Sequence, residues 1–151
     1  MLREQLNDAL KVSMKTRDKR RTATLRLILA AIKDRDIAAR GSDKPEPVSD
    51  EEILSLLAKM VKQRRETIEV CEKAGRSKLA EQENAEIEII KSYLPQQLSS
   101  TEAADACREV IAEIEAAGIK DMGRTMGVLK ERYAGRMDFA QASKLVKELL
   151  S

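Results

Sequence analysis

The sequence predicts an all-α protein: an N-terminal helical domain of about four helices, then a small three-helix C-terminal domain. Three observations predict it. Apolar residues recur at three- and four-residue spacing along most of the chain, the pattern of helices that bury one stripe. Strand-favouring aromatics are nearly absent, since Tyr93, Tyr133 and Phe139 are the whole set in 151 residues. Glycines and prolines at Gly41, Gly75, Pro95, Gly118 and Gly135 cut the pattern into helix-length pieces.

Each element has its own justification. Leu2, Leu6, Ala9 and Leu10, extended by Met14, predict a first amphipathic helix, with a break near Thr16. Leu25, Ile28, Leu29 and Ile32 define a second that ends before Gly41. Gly41–Pro47 holds two prolines, which cannot continue a helix, and is expected to be a linker. Ser49 with Glu52 forms a capping-box pattern that starts a third helix. Its stripe runs Ile53, Leu56, Leu57, Met60, Val61, Arg64 and Ile68, and Gly75 stops it.

Ser77 is expected to cap a fourth helix, with Leu79, Ile87, Ile90 and Leu94 as its apolar positions. Pro95 ends that pattern and marks the expected domain boundary, 1–94 against 95–151. Ser99 and Glu102 repeat the capping box ahead of Cys107, Val110, Ile111 and Ile114. Asp121 is the expected N-cap of a helix from about Met122 to Tyr133. Asp138 is placed to cap a last helix carrying Ala142, Leu145, Val146 and Leu149.

Composition narrows the function. Apolar residues make up 42% and charged residues 36%, enough for a core beneath a heavily solvated surface. The longest apolar run, Leu27 to Ile32, is far too short to span a bilayer, and charges that begin at Arg3 and recur throughout leave no signal-peptide h-region. The expectation is a cytoplasmic chain with no membrane partner. Cys71 and Cys107 stand alone and the chain has no His, so the usual zinc ligands and the commonest general base are missing. No metal, cofactor or catalytic residue is expected.

Two features suggest binding. The first 48 residues carry 12 Lys and Arg against 7 Asp and Glu, although the whole chain has a net charge of only +2. Lys11, Lys15, Arg17, Lys19, Arg20, Arg21 and Arg26 fall within sixteen positions that contain one acid, Asp18. Such a run is either a solvated helix surface or a lining for a phosphate backbone. No aromatic lies within it, so base stacking is not expected and structured RNA suits it better than single strands.

The second feature is Gly123 and Gly127, placed among Lys120, Arg124 and Lys130. Each Gly costs a helix interior about 1 kcal/mol relative to Ala. At i and i+4 they share a face on which another surface can come close. That surface is either a neighbouring helix of the same domain or an anionic backbone at the helix N-terminus. On the third helix, Gln63, Arg64, Arg65 and Glu69 are expected to make i,i+4 ion pairs along the helix.

Four segments in order resemble the GatB/YqeY family over essentially the whole chain. They are Arg26–Ile32, Lys62–Ile68, Tyr93–Leu98, and Lys120–Gly127 with Val146–Leu149. The likeness is to the stand-alone YqeY form, whose module also forms the C-terminal tail of the GatB component of the aspartyl/glutamyl-tRNA amidotransferase. One departure is Phe139, where the family often has Gly; the Phe is expected to pack into the core. The resemblance implies a non-catalytic accessory protein that engages tRNA or other structured RNA, with an aminoacyl-tRNA-handling enzyme as a possible partner. The phosphorylating and amidating region of the amidotransferase has no counterpart here, and Gly123-xxx-Gly127 matches no phosphate-loop pattern. Two alternatives stay open: a component of a carbon–nitrogen ligase activity, and a protein-only helical adaptor.

Overall fold

A computed structural model describes residues 1–43 and 46–151. Among the described residues there are seven α-helices, one 3-10 turn and no strand. The all-α reading therefore holds. The linker expected over Gly41–Pro47 includes residues 44 and 45, which lie outside the described residues. The chain forms two compact units, Met1–Leu94 and Pro95–Ser151.

The first unit contains α1 (Leu2–Lys15), α2 (Lys19–Arg40), α3 (Asp50–Lys73) and α4 (Ser77–Lys91). Its core is built from the expected stripes, with Leu6, Leu25, Ile28, Ile53, Leu57 and Ile90 fully buried. Two stripe positions differ. Met14 and Leu79 stand exposed, while Ser13 and Ala80 are buried in their place. Ser13 tolerates burial because its hydroxyl donates to the Leu10 carbonyl at 2.8 Å and accepts from the Thr22 hydroxyl at 2.8 Å.

The helix ends follow from local chemistry. Ser49 accepts from the Glu52 amide at 3.2 Å and starts α3. At the far end Gly75 takes a left-handed φ of 71°, which lets the Arg76 amide reach the Cys71 carbonyl and the Gly75 amide reach Glu72. This closure places Arg76 at the N-cap of α4. Ser77 is therefore already inside the helix and caps nothing, which corrects the sequence expectation.

Arg64 also differs from expectation. Its guanidinium does not pair along α3 but crosses to α4, donating to Glu86 at 2.9 Å and lying 3.9 Å from Glu83. Only 14% of the Arg64 side chain is exposed and its i+4 position on α3 is Ile68, so the carboxylates within its reach are those of α4. Burial, with Glu86 close by, raises the Glu83 carboxyl above its ordinary value.

A second polar knot joins α1, α2 and the start of α3. Arg3 donates to both oxygens of Asp36, at 2.7 and 3.0 Å, and to the Val48 carbonyl at 3.2 Å. Asp36 also accepts from the Val48 amide at 2.9 Å. Thr24 is the counter-example: it is buried and its hydroxyl has no partner. A buried orphan hydroxyl costs roughly 1–3 kcal/mol. Thr24→Val keeps the shape and removes the orphan, so it should raise stability by about 1 kcal/mol in urea unfolding.

The second unit contains α5 (Ser100–Glu113), the 3-10 turn Ile119–Asp121, α6 (Met122–Arg132) and α7 (Phe139–Leu150). The full capping box forms at Ser99 and Glu102, with both bonds at 3.1 Å. Cys107, Val110, Leu129 and Val146 form the buried centre, and Phe139 packs against it as expected. Cys107 is fully buried, and burial raises its thiol above the ordinary value. Leu150 rather than Leu149 completes the α7 stripe. The lead-in segment is tied to the loop between α6 and α7: the Leu98 amide donates to the Arg136 carbonyl at 2.8 Å, and Arg136 donates to the Gln96 carbonyl at 3.0 Å.

Candidate nucleic-acid interface

In the first unit the basic run occupies the end of α1, the turn after it and the first two turns of α2. Asp18 N-caps α2 by accepting from the Arg21 amide at 3.1 Å, which accounts for the one acid in the run. Lys11, Lys15, Arg17, Lys19, Arg20 and Arg26 are exposed. The side chains of Lys11, Lys15, Arg17, Lys19 and Arg20 make no hydrogen bond or ion pair among the described residues. Arg26 lies 3.9 Å from the Met14 sulfur.

Arg21 is different. It is half-buried, donates to the Tyr93 hydroxyl at 2.9 Å and lies over that ring at 5.7 Å. This stacking fixes the end of α4 against α2, so Arg21 serves the fold more than a ligand. Sequence spacing alone gave no sign of the partner, because Tyr93 lies 72 positions away.

The turn itself carries a conformational cost. Arg17 adopts a left-handed φ of 59°, the position at which Gly normally ends a helix. The geometry is complete: the Asp18 amide donates to the Ser13 carbonyl at 3.0 Å and the Arg17 amide to Met14 at 3.3 Å. A non-Gly residue there costs about 1 kcal/mol. Arg17→Gly should accordingly raise the unfolding free energy by about that amount. Thermal denaturation checks it, and a loss of stability would contradict the reading of Arg17 as a strained position.

In the second unit Gly123, Gly127 and Lys130 fall on one exposed face of α6, opposite the core-facing Thr125 and Leu129, and Lys120 is exposed in the 3-10 turn before it. A Cβ built on either Gly123 or Gly127 has no heavy atom within 4 Å. Among the described residues of this unit, close helix crossing is therefore not what the glycines serve.

The start of α6 is more acidic than its basic sequence suggests. Asp121 occupies the N-cap position but makes no capping bond. The chain arrives through the 3-10 turn, so the Met122 amide is already bonded to the Ile119 carbonyl, and the Asp121 carboxylate turns back to accept from the Ala117 amide at 2.9 Å. That bond, with help from Arg124 and Lys120, holds the Asp121 carboxyl below its ordinary value. Arg124 is bound to the same corner, 3.5 Å from Asp121 and donating to the Ile114 carbonyl at 3.0 Å. Lys120 and Lys130 make no side-chain hydrogen bond or ion pair among the described residues. The face thus offers two free lysines flanking bare helix backbone.

No helix among the described residues is long and apolar enough to cross a membrane, and no cluster of three or more Cys, Asp and Glu stands ready for a metal. What remains is a class of protein: small, all-helical and carrying an unpaired basic surface. The chain belongs to the Yqey-like protein family, whose family model matches residues 3–150.

Named relatives agree with the family. The chain is 40% identical over 98 residues to altered inheritance of mitochondria protein 41, mitochondrial, of Lachancea thermotolerans, covering 65% of this chain and 50% of that protein. The same-named protein of Eremothecium gossypii is 35% identical over 89 residues, 59% of this chain and 46% of that protein. An uncharacterized protein of Schizosaccharomyces pombe is 35% identical over 100 residues, 66% of this chain and 74% of its own length. The chain spans about half the length of the two mitochondrial relatives. Their names point to mitochondria and overturn the cytoplasmic expectation. Composition misled because a compartment address is a receptor-read segment that leaves no mark on the core or surface of the folded part.

Proposed function

We propose that this chain is a non-catalytic accessory protein that holds structured RNA, tRNA in the first instance, by its phosphate backbone. One observation carries the reading: five unpaired, exposed basic side chains, Lys11, Lys15, Arg17, Lys19 and Arg20, surround the α1–α2 turn. Arg17 holds its charge at the tip of the turn, at a position where Gly would be less strained. Lys120 and Lys130, with the open Gly123 and Gly127 between them, supply a second surface where a phosphate backbone could approach the helix closely. Arg21 and Arg124 are already engaged and act as supports for these surfaces. Lysine-rich contact without aromatics recognises backbone and shape, not base sequence. An aminoacyl-tRNA-handling enzyme is the partner class this activity would serve.

Mobility shifts with total tRNA at low and moderate salt test the reading. Binding that engages five phosphates should weaken steeply with salt, with a log–log slope of about −4 to −5 on duplex regions. Replacing Lys11, Lys15, Lys19 and Arg20 together by Gln should remove most of that slope while leaving the helical circular dichroism intact. Absence of any shift at low salt would end the proposal.

A further inference from the structure

The RNA reading leaves one feature of the first unit unused, an open groove between α2 and α3 with a volume of about 420 Å³. Leu27, Ala31, Leu56 and Met60 give it an apolar lining. Leu56 and Met60 are each 7% exposed and form the floor, but Leu27 is 50% exposed and stands as an uncovered wall. Beyond Leu27 on α2 come Ala23 and Ala30, both exposed and small enough for another backbone to approach.

The edges of the groove are basic. Arg35, exposed, lines the α2 edge. Lys59, exposed, lines the α3 edge. Arg64 also lines the groove but is held by Glu86 and Glu83. Asp34 is the one carboxylate in the lining.

We propose that this groove docks a single amphipathic α-helix of a partner protein, with an apolar stripe flanked by Glu or Asp. An apolar floor rewards burial of Leu-type side chains, and the basic edges match acidic flanks. From Leu27 to Asp34, both lining the groove, the α2 edge extends about 10 Å, room for roughly two turns of a docked helix. Nucleic acid suits the groove poorly. It has no aromatic on which a base could stack, and a phosphate backbone would leave the apolar floor uncovered.

The test uses the full chain with labelled Leu, Ala and Met methyl groups, observed by NMR. The probe is a synthetic helical peptide of about four turns, with a Leu stripe and Glu flanks; its controls are the same peptide with Lys flanks, and total tRNA. The Glu-flanked peptide should shift the Leu27, Leu56 and Met60 methyls and the Lys-flanked one should not. Leu27→Ser, at a half-exposed site, should weaken the peptide about tenfold or more, and Lys59→Glu should weaken it while improving the Lys-flanked control. Both variants should bind tRNA as before, so failure here and failure of the RNA reading are told apart. No shift at the groove methyls, equal shifts with both peptides, or movement of the same methyls by tRNA would each overturn the proposal.

Discussion

Asp36→Ala should lower the unfolding free energy at neutral pH by about 2–4 kcal/mol, because three connections end at that carboxylate. Arg3 binds it through both guanidinium nitrogens and the Val48 amide donates to it. Removal leaves the amide of a buried residue without a partner and a guanidinium that is one-third exposed to rehydrate. The same contacts predict a pH dependence. The Arg3 hydrogen bond first, then the Val48 amide, lower the Asp36 carboxyl to about 2. A carboxyl depressed in the folded state contributes its stability above the unfolded value near 4, and loses it as pH falls from about 4 toward 2. The linked contribution is roughly 2 kcal/mol. Urea unfolding of wild type and Asp36→Asn at pH 7, 4 and 2.5 checks it: the difference between them should shrink as pH falls. A constant difference would mean that the carboxylate charge is not what holds the knot.

Gly123→Ala with Gly127→Ala should stabilise the protein while weakening its hold on RNA. Both glycines lie on the exposed face of α6, and an added Cβ meets nothing within 4 Å. Ala at Gly127, in the helix interior, should gain about 1 kcal/mol, and Ala at Gly123, in the first turn, somewhat less. Had the pair served a close helix crossing, the same change would force atoms apart and destabilise. Thermal unfolding therefore separates the two roles by sign. Mobility shifts with tRNA then ask whether the bare backbone is used: a more stable double variant with unchanged affinity would remove α6 from the interface and leave the α1–α2 surface standing.

Most helices were legible because their causes are local. Ser49, Ser99 and Asp138 cap the helices that follow them, and Gly75 and Gly135 take the left-handed conformations that end or separate elements. The exceptions share a cause. Arg76 displaced Ser77 as N-cap because the closure at Gly75 leaves room for one linking residue. Asp121 lost its capping role because the 3-10 turn keeps its backbone out of the extended conformation of a cap and the Ala117 amide takes its carboxylate. Met14 and Leu79 fit a helical stripe in one dimension, yet the packed neighbours covered Ser13 and Ala80 instead.

The candidate interface was half legible. Clustering of Lys and Arg is a property of the chain, so the basic turn was visible at once. Which charges are free is a property of the fold. Arg21 and Arg124 look identical to their neighbours in sequence, but Tyr93, Asp121 and the Ile114 carbonyl hold them. The groove between α2 and α3 was hidden for a related reason: Leu27 reads as a core residue until its exposure shows that the core does not cover it.

By itself, the sequence determined the all-helical class, the order and approximate ends of the helices, and the uneven placement of positive charge. These follow from backbone capping, helical periodicity and composition, all of which act over a few residues. Only the tertiary structure decided that Gly123 and Gly127 face open space, that Asp36 anchors three segments, and which cations remain unpaired. Those outcomes depend on contacts between residues far apart in the chain, where burial and the nearest partner, not spacing, decide what each side chain can do.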